Sequence, residues 1–481
     1  RDRLGIKPFF YSLLSDGSFV FGSELKVLTA NSLFDKTLRD SSVEDYFTFG
    51  YIPEPNTIYQ NAFKLSPGHR ITLNKGIKTI PESEEYWDIP TDFERTLTKE
   101  EVNDQLAERL TEAVDIRMVA DVPLGSFLSG GVDSSAVVAL MSGLQKEPVN
   151  ACSIGFDVKE FNETDFAIDV AKRYKADHRI EIVDQDDFDL VDKLAALYDE
   201  PYADSSAMPT YRVCELARKH VTVALSGDGA DELFAGYSRY RWHMNEEKVR
   251  QVLPLNLRKA VFKPLGSIYP KMDWAPKFLR AKTTFQSMAM DTVEGYHNSI
   301  SILRQDERDK LFSKSYKEKL NGYTSLSVFR KYQDKVKTLD PMKTAQYLDM
   351  KTYLVGDILT KVDRASMAHS LEVRVPFLDH KFVEWGFQIP SEINLEQGVG
   401  KKSLKRAMEP HLPHDVLYRK KMGFSIPVAQ WFRGPLKEKL YTGLLSEQMK
   451  NCGYFDMNQV RKLIDQHVKG IKDNSAPLWT L

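Results

Sequence analysis

Cysteine is scarce: the chain holds three in 481 residues, Cys152, Cys214 and Cys452, odd in number and far apart. That spacing makes neither a zinc motif nor a disulfide framework, and a reducing cytoplasm is its simplest setting. No apolar run reaches the roughly 18 residues of a membrane-spanning helix. An excess of one charge is also missing, since 66 Lys plus Arg face 68 Asp plus Glu and leave a formal net charge of −2. No global charge therefore asks for a nucleic acid or a membrane surface. Arg1-Asp2-Arg3-Leu4-Gly5 has none of the features of a signal peptide. Repeats and low-complexity tracts are absent too. What is present is a globular composition, 42% hydrophobic and 28% charged, which supplies a large core and excludes wholesale disorder. Roughly 150 residues per domain suggests about two to four domains. Both ends read as clipped from a longer protein. Pro8-Phe9-Phe10-Tyr11 follows Arg1 almost at once, and Ala476–Leu481 starts an apolar pattern rather than ending one.

Residues 1–90 read as β-rich. Phe9–Leu14, an Asp16-Gly17 turn and Ser18–Gly22 predict a hairpin, because Asp-Gly tolerates the positive φ of a tight turn. Ser66-Pro67-Gly68-His69 predicts a turn before a strand at Arg70–Leu73. A helix is expected over about Thr98–Val119, with Val102, Leu106, Leu110, Ala113 and Val114 on one face. From Val122 strands alternate with helices. Strands are predicted at Val122–Leu128, Val149–Phe156, His178–Val183 and Val221–Leu225, and helices at Ser134–Gly143, Glu163–Tyr174, Asp187–Tyr198 and Pro209–His220. Such alternation implies a parallel sheet covered by helices on both faces. Residues 235–481 read as helical, and the stretch 240–345 carries no interpretable motif.

Ser129-Gly130-Gly131-Val132-Asp133-Ser134-Ser135 lies between the first of these strands and its helix. Its glycines let a ligand approach the backbone, its serines add hydroxyl donors, and the helix start turns N–H groups and a positive dipole toward the loop. This is a pyrophosphate cradle in which Asp133 makes sense as a ligand of a phosphate-bridging Mg²⁺. It is neither a Walker A loop nor a dinucleotide fingerprint. Ser226-Gly227-Asp228-Gly229-Ala230-Asp231-Glu232 repeats the logic after the strand ending at Leu225. Three carboxylates so close repel unless a cation or a reacting group sits among them, and the carboxyl ends of parallel strands are where open α/β sheets bind ligands. Each string alone could be an ordinary loop. Finding both on one sheet makes coincidence hard to sustain.

Together the two strings resemble the PP-loop ATP pyrophosphatases and, more narrowly, the synthetase domain of glutamine-dependent asparagine synthetases of the B type. Leu359–Ala368, Glu372–Asp379 and Arg419–Ser425 match further segments of that family. Asp2–Pro8, Gly22–Lys26, Tyr51-Ile52-Pro53 and Leu65–His69 resemble the last part of its glutaminase domain. The resemblance implies an α/β fold. Its parallel, doubly wound PP-loop sheet and helical C-terminal part would span 98–481, preceded at 1–90 by the β-rich remnant of an α+β N-terminal-nucleophile glutaminase.

The resemblance also implies site residues. Leu128, Ser129, Gly130, Gly131, Asp133 and Ser134 would hold ATP and its pyrophosphate, with Ile154, Ser226 and Gly227 at the adenine. Asp133 and Asp231 would bind Mg²⁺, Asp228, Asp231 and Lys421 would act in catalysis, and Arg364, Arg374 and Asp379 would contact the acceptor. The implied reaction activates a carboxylate, aspartate above all, as an acyl-adenylate that ammonia then converts to the amide.

Two departures stand out. Many members carry Glu where this chain has Asp228, one methylene shorter. Residue 1 is Arg where the glutaminase nucleophile would be a Cys, and neither Cys152 nor Cys214 can replace it, so the chain as given is not expected to hydrolyse glutamine. Rival readings are a sugar uronate or a β-lactam precursor as acceptor, a tRNA-modifying PP-loop enzyme, and a non-catalytic nucleotide-binding scaffold. The tRNA reading lacks its basic extension or Cys pair. The partners expected are small molecules, with no nucleic acid and no membrane, and a homodimer is compatible with the sequence.

Overall fold

Gly17 takes a left-handed φ of +85°, and the chain reverses there between β1 (Phe10–Leu13) and β2 (Phe19–Gly22), as the Asp-Gly turn predicts. The architecture comes from a computed structural model that describes residues 1–93, 95–156, 164–183, 189–269, 282–419 and 426–481. Strand β3 (Ala62–Lys64) pairs with the other edge of β1 to complete an antiparallel sheet of order β2-β1-β3. Helix α1 (Leu25–Thr29) packs against β1 and β2, and helix α2 (Asp40–Phe49) follows in the chain. The strand expected at Arg70–Leu73 is shorter than predicted. Only β4 (His69–Arg70) pairs, with β5 (Glu84–Glu85).

Helix α3 (Lys99–Met118) starts at a capping box in which Thr98 and Glu101 satisfy each other's backbone N–H groups. It leads into the central sheet, whose strands are β6 (Leu124–Phe127), β7 (Asn150–Phe156), β8 (Asp177–Val183), β9 (Val223–Leu225) and β10 (Glu372–Arg374). All neighbours are parallel, in the order β10-β9-β6-β7-β8. The intervening helices are α4 (Val132–Leu144), α5 (Thr164–Arg173), α6 (Asp189–Tyr198) and α7 (Ala207–Arg218).

Side chains alternate across this sheet as its pleat requires. Ala151 and Leu225 pack with α3, α4 and α5, whereas the adjacent Cys152 and Ala224 face α6 and α7. Both faces are thus covered, and the sheet is doubly wound. The α6/α7 side also receives Leu14, Leu25 and Leu28 of the N-terminal part, so that part shares its core with the α/β unit. Ion pairs reinforce the contact: Lys64 meets Glu200 at 2.7 Å, and Arg364 meets Glu24 at 3.3 Å.

Strand β10 corrects the expectation that everything beyond residue 235 is helical. Three residues at a sheet edge, with only Val373 buried, are too short to show a period of two. The rest of that region is helical in its described parts, including a π-helical stretch at Leu354–Leu359 that runs straight into the helix Thr360–Met367. Among the described residues no helix is long and apolar enough to cross a membrane.

Candidate active site

Strand order reverses at β6. The chain winds outward through β7 and β8, then returns to place β9 on the other side. Loops after β6 and β9 therefore diverge at a topological switch point, where an open α/β sheet leaves a crevice. Those loops are the two motif strings. A cavity of about 1000 Å³ opens there.

The first loop is shaped by its glycines. Gly130 has φ +71°, and a Cβ on it would stand 2.7 Å from the Ala167 nitrogen, so no larger residue fits. Ser134 Oγ accepts from the Ser129 N–H at 3.1 Å and lies 3.0 Å from Ser129 Oγ, which closes the loop on itself. Helix α4 starts at Val132, two residues earlier than predicted, with Gly131 as an N-cap that has no side-chain partner for the first-turn N–H groups. Val132, Asp133 and Ser134 line the cavity, so the anion-seeking end of a four-turn helix faces it.

The second loop lies against the first. A Cβ on Gly227 would come within 2.8 Å of Asp133 Cβ and 2.9 Å of the Ser134 nitrogen. Asp228 receives a 2.6 Å hydrogen bond from Ser226 Oγ. Burial pushes the Asp228 carboxyl above its usual pKa, and the charges of Asp133 and Asp231 push the same way, against Ser226 and Lys361. Glu232, buried and hydrogen-bonded by Tyr237 at 2.7 Å, is raised to about 7 by burial and by Asp231.

Lys401 binds the two strings together. Its ammonium is 2.5 Å from Asp133 Oδ2 and 2.8 Å from Asp231 Oδ1. Burial opposes its charge, but the two carboxylates outweigh burial and hold its pKa above that of an ordinary lysine. Its backbone is left-handed at φ +56°, and its N–H donates to Phe234 O at 2.8 Å, which fixes the side chain at the loop. Gly236 makes room: a Cβ there would overlap Asp231 and the Lys401 stem. On the other rim Arg419 donates to Gly130 O at 3.1 Å and stacks 4.6 Å above the Phe166 ring.

Further along the wall Lys361 pairs with Asp204 at 2.7 Å and donates to Ser206 Oγ at 2.7 Å. Behind that pair Asp357, buried and hydrogen-bonded by Tyr202, is pushed up to about 8 by burial and by Asp204.

Sequence comparison fits this geometry. A family model described as Asparagine synthase matches residues 105–481, and one described as Glutamine amidotransferase domain matches residues 1–87. The chain belongs to the asparagine synthase family. It is similar to a protein named asparagine synthetase [glutamine-hydrolyzing] 1 of Bacillus subtilis, 30% identical over all of this chain and 73% of that relative. A putative asparagine synthetase [glutamine-hydrolyzing] 2 of Methanocaldococcus jannaschii is 36% identical over 78% of this chain and 70% of its own. Amidase chry2 of Gibberella zeae is 26% identical over 97% of this chain and 72% of its own.

Of the residues singled out in the sequence, Leu128, Ser129, Gly131, Asp133, Ser134, Ile154, Ser226, Gly227, Asp228 and Asp231 all line one cavity. Gly130 does not line it; Gly130 packs on Phe166 and Ala167 and offers its carbonyl to Arg419. Lys421 lies outside the described residues.

Arg364, Arg374 and Asp379, expected at the acceptor, do not line this cavity. Their charges are satisfied inside the fold. Arg364 pairs with Asp363 and Glu24. Arg374 donates to Arg117 O and Val119 O at 2.9 and 2.7 Å from the edge strand. Asp379 caps the helix His380–Phe387 and meets Arg117 at 3.2 Å.

Sequence reasoning missed Lys401, Lys361 and Asp204. Gly400-Lys401-Lys402 was a usable signal, since a lysine after glycine at a helix start is a recurrent anion contact, but nothing local ties it to residues 133 and 231.

Proposed function

We propose that this protein is an ATP-dependent, AMP-forming amide ligase that makes asparagine from aspartate. The observation that carries the reading is the convergence of Asp133, Asp231 and Lys401 beside the open N-terminus of α4 at the switch point of the sheet. That arrangement suits a nucleotide polyphosphate whose α-phosphorus is to be attacked. We read residues 98–481 as the synthetase domain and 1–90 as the C-terminal part of a glutaminase domain, a source of ammonia.

In this reading the first-turn N–H groups of α4 with Ser129 and Ser134 hold the pyrophosphate, and Leu128, Ile154, Ser226 and Gly227 border the adenosine. Two carboxylates meeting at one point, without a third metal-ligating side chain among the described residues, fit an ion that takes its remaining ligands from phosphates and water. Asp133 and Asp231 would hold such a Mg²⁺, which when bound supplies charge neutralisation on the phosphates. An aspartate β-carboxylate oxygen attacks the α-phosphorus, and pyrophosphate departs. Ammonia then attacks the acyl carbon, and AMP leaves with the oxygen it gained. Lys401 neutralises charge developing during the first step. Asp228, its basicity raised by burial, takes the proton that ammonia sheds in the second. Lys421 we assign to the same phosphates and acyl oxygen. The substrates are small molecules, and a cytoplasmic setting suits them.

Pyrophosphate release from ATP is the test, with ammonium salt as nitrogen source, with and without aspartate. Release that needs aspartate and Mg²⁺, yields asparagine and is abolished in Asp133→Ala supports the reading. Binding of ATP without turnover would favour a scaffold. A second reading keeps the chemistry and changes the acceptor. It rests on Asp228, whose shorter side chain reaches a different point than Glu would, and a panel of sugar uronates decides it.

A further inference from the structure

Among the described residues two buried lysines line the cavity, and the proposed reaction uses only one of them. Lys401 is committed to Asp133 and Asp231, the phosphate side. Lys361 belongs to a different wall. It comes from the helix Thr360–Met367, directly after the π-helical turn Leu354–Leu359. A π-turn slips one extra residue into the helix and re-aims the side chains that follow, and such turns concentrate at functional sites. Here Ile358, Lys361 and Val362 border the cavity.

The pairing of Lys361 is unusual for a merely structural bridge. Its side chain is 10% exposed, Asp204 is 22% exposed, and both line the cavity. Asp204 is itself held rigidly. Its Oδ1 accepts from the Ser206 N–H at 2.9 Å, and its Oδ2 takes Ser206 Oγ at 2.6 Å. Asp204 and Ser206 Oγ take two of the three donors of the Lys361 ammonium, leaving one for a third partner. Val213, Ile358 and Val362 border the same cavity, and an apolar margin strengthens any charged hydrogen bond made against it. Lys361, Asp204 and Asp228 line the same cavity, so the ammonium and the proposed base face one enclosed space.

We infer that Lys361, positioned by Asp204 and Ser206, binds the second carboxylate of a dicarboxylic acceptor, the one that is not adenylated. The inference rests on the amide-ligase reading and deepens it: the acceptor is a small dicarboxylate such as aspartate. A monocarboxylate such as a sugar uronate gives this cation nothing to hold.

The experiment uses the full chain with ATP, Mg²⁺ and ammonium salt, and compares aspartate with 3-aminopropanoate. The latter keeps the amine and the reacting carboxylate but lacks the other carboxylate. Wild type, Lys361→Met and the double variant Lys361→Met/Asp204→Asn are measured by pyrophosphate release. The double variant removes both charges together, so it leaves no unpaired buried ion if the single variant fails to fold. For aspartate, kcat/KM is expected to fall about 10- to 100-fold, through KM, the size of one lost charged hydrogen bond. For 3-aminopropanoate it stays within about threefold, so the preference between the two collapses. Equal losses on both acceptors, or a loss confined to the KM for ATP, overturn the inference while leaving the ligase reading intact. A wild-type protein that binds ATP but turns over no aspartate overturns the acceptor reading itself, and the inference with it.

Discussion

The Lys401 ammonium stands between Asp133 and Asp231, 2.5 Å from one carboxylate and 2.8 Å from the other, and so joins loops that lie nearly a hundred residues apart in the chain. Replacing it removes the ammonium that the two half-buried carboxylates share. Lys401→Met is therefore expected to lower the rate of pyrophosphate release by on the order of 10²-fold, the usual effect of removing one charge-stabilising donor. Steady-state kinetics with ammonium and aspartate check this, and a change of less than a few-fold would remove Lys401 from the mechanism.

Gly227 lets the second loop lie against the first turn of α4. In Gly227→Ala the new methyl would press on Asp133 Cβ from 2.8 Å and on the Ser134 nitrogen from 2.9 Å. Overpacking of this kind costs about 1–3 kcal/mol, and here it falls on the nucleotide cradle. ATP affinity measured by titration calorimetry should weaken roughly 10- to 100-fold while the circular dichroism of the fold is kept. Unchanged affinity would mean that the loops part without consequence for the nucleotide.

This contact also marks how far the sequence could be read. The strings at 129–135 and 226–232 are legible because each is a local run at the end of a predicted strand, and their chemistry follows from residue types in order. The alternation of strands and helices gives the parallel sheet for the same reason. Strand β10 escapes because three residues hold no period, and Lys401 escapes because its partners are distant in sequence. Arg364, Arg374 and Asp379 look like site residues because charged groups in a motif suggest chemistry, yet nothing in the string distinguishes a buried structural pair from a ligand contact. The start of α4 at Val132 was hidden by the Gly-Gly pair, which resembles a loop although its second glycine is the N-cap.

Lys421 follows Arg419, whose guanidinium is anchored on the Gly130 carbonyl. Lys421→Ala should lower kcat by on the order of 10²-fold if this residue stabilises the developing charge. A rise confined to KM would give it a binding role alone. Single-turnover kinetics separate the two outcomes.

Asp45 gives a stability prediction outside the site. It is fully buried, receives the Tyr323 hydroxyl at 2.9 Å, and is raised to about 7 by burial and by Glu44. A carboxyl with a higher pKa folded than unfolded binds more protons in the native state. Its contribution to stability is thus whole below about pH 4, is lost as pH rises toward 7, and stays lost above. Thermal melts between pH 4 and 8 should show wild type losing more stability across that window than Asp45→Asn, whose side chain does not titrate. Parallel curves for the two proteins would contradict the assignment.

If a carboxylate oxygen of the acceptor attacks the α-phosphorus of ATP, that oxygen leaves with AMP, and isotope transfer reads this out. Aspartate labelled with ¹⁸O in its β-carboxylate is turned over with ATP, Mg²⁺ and ammonium salt, and the AMP is analysed by mass spectrometry. One labelled oxygen is expected in each AMP, none in the pyrophosphate, and asparagine that keeps the other. Unlabelled AMP, or label in inorganic phosphate with ADP as the nucleotide product, would contradict it.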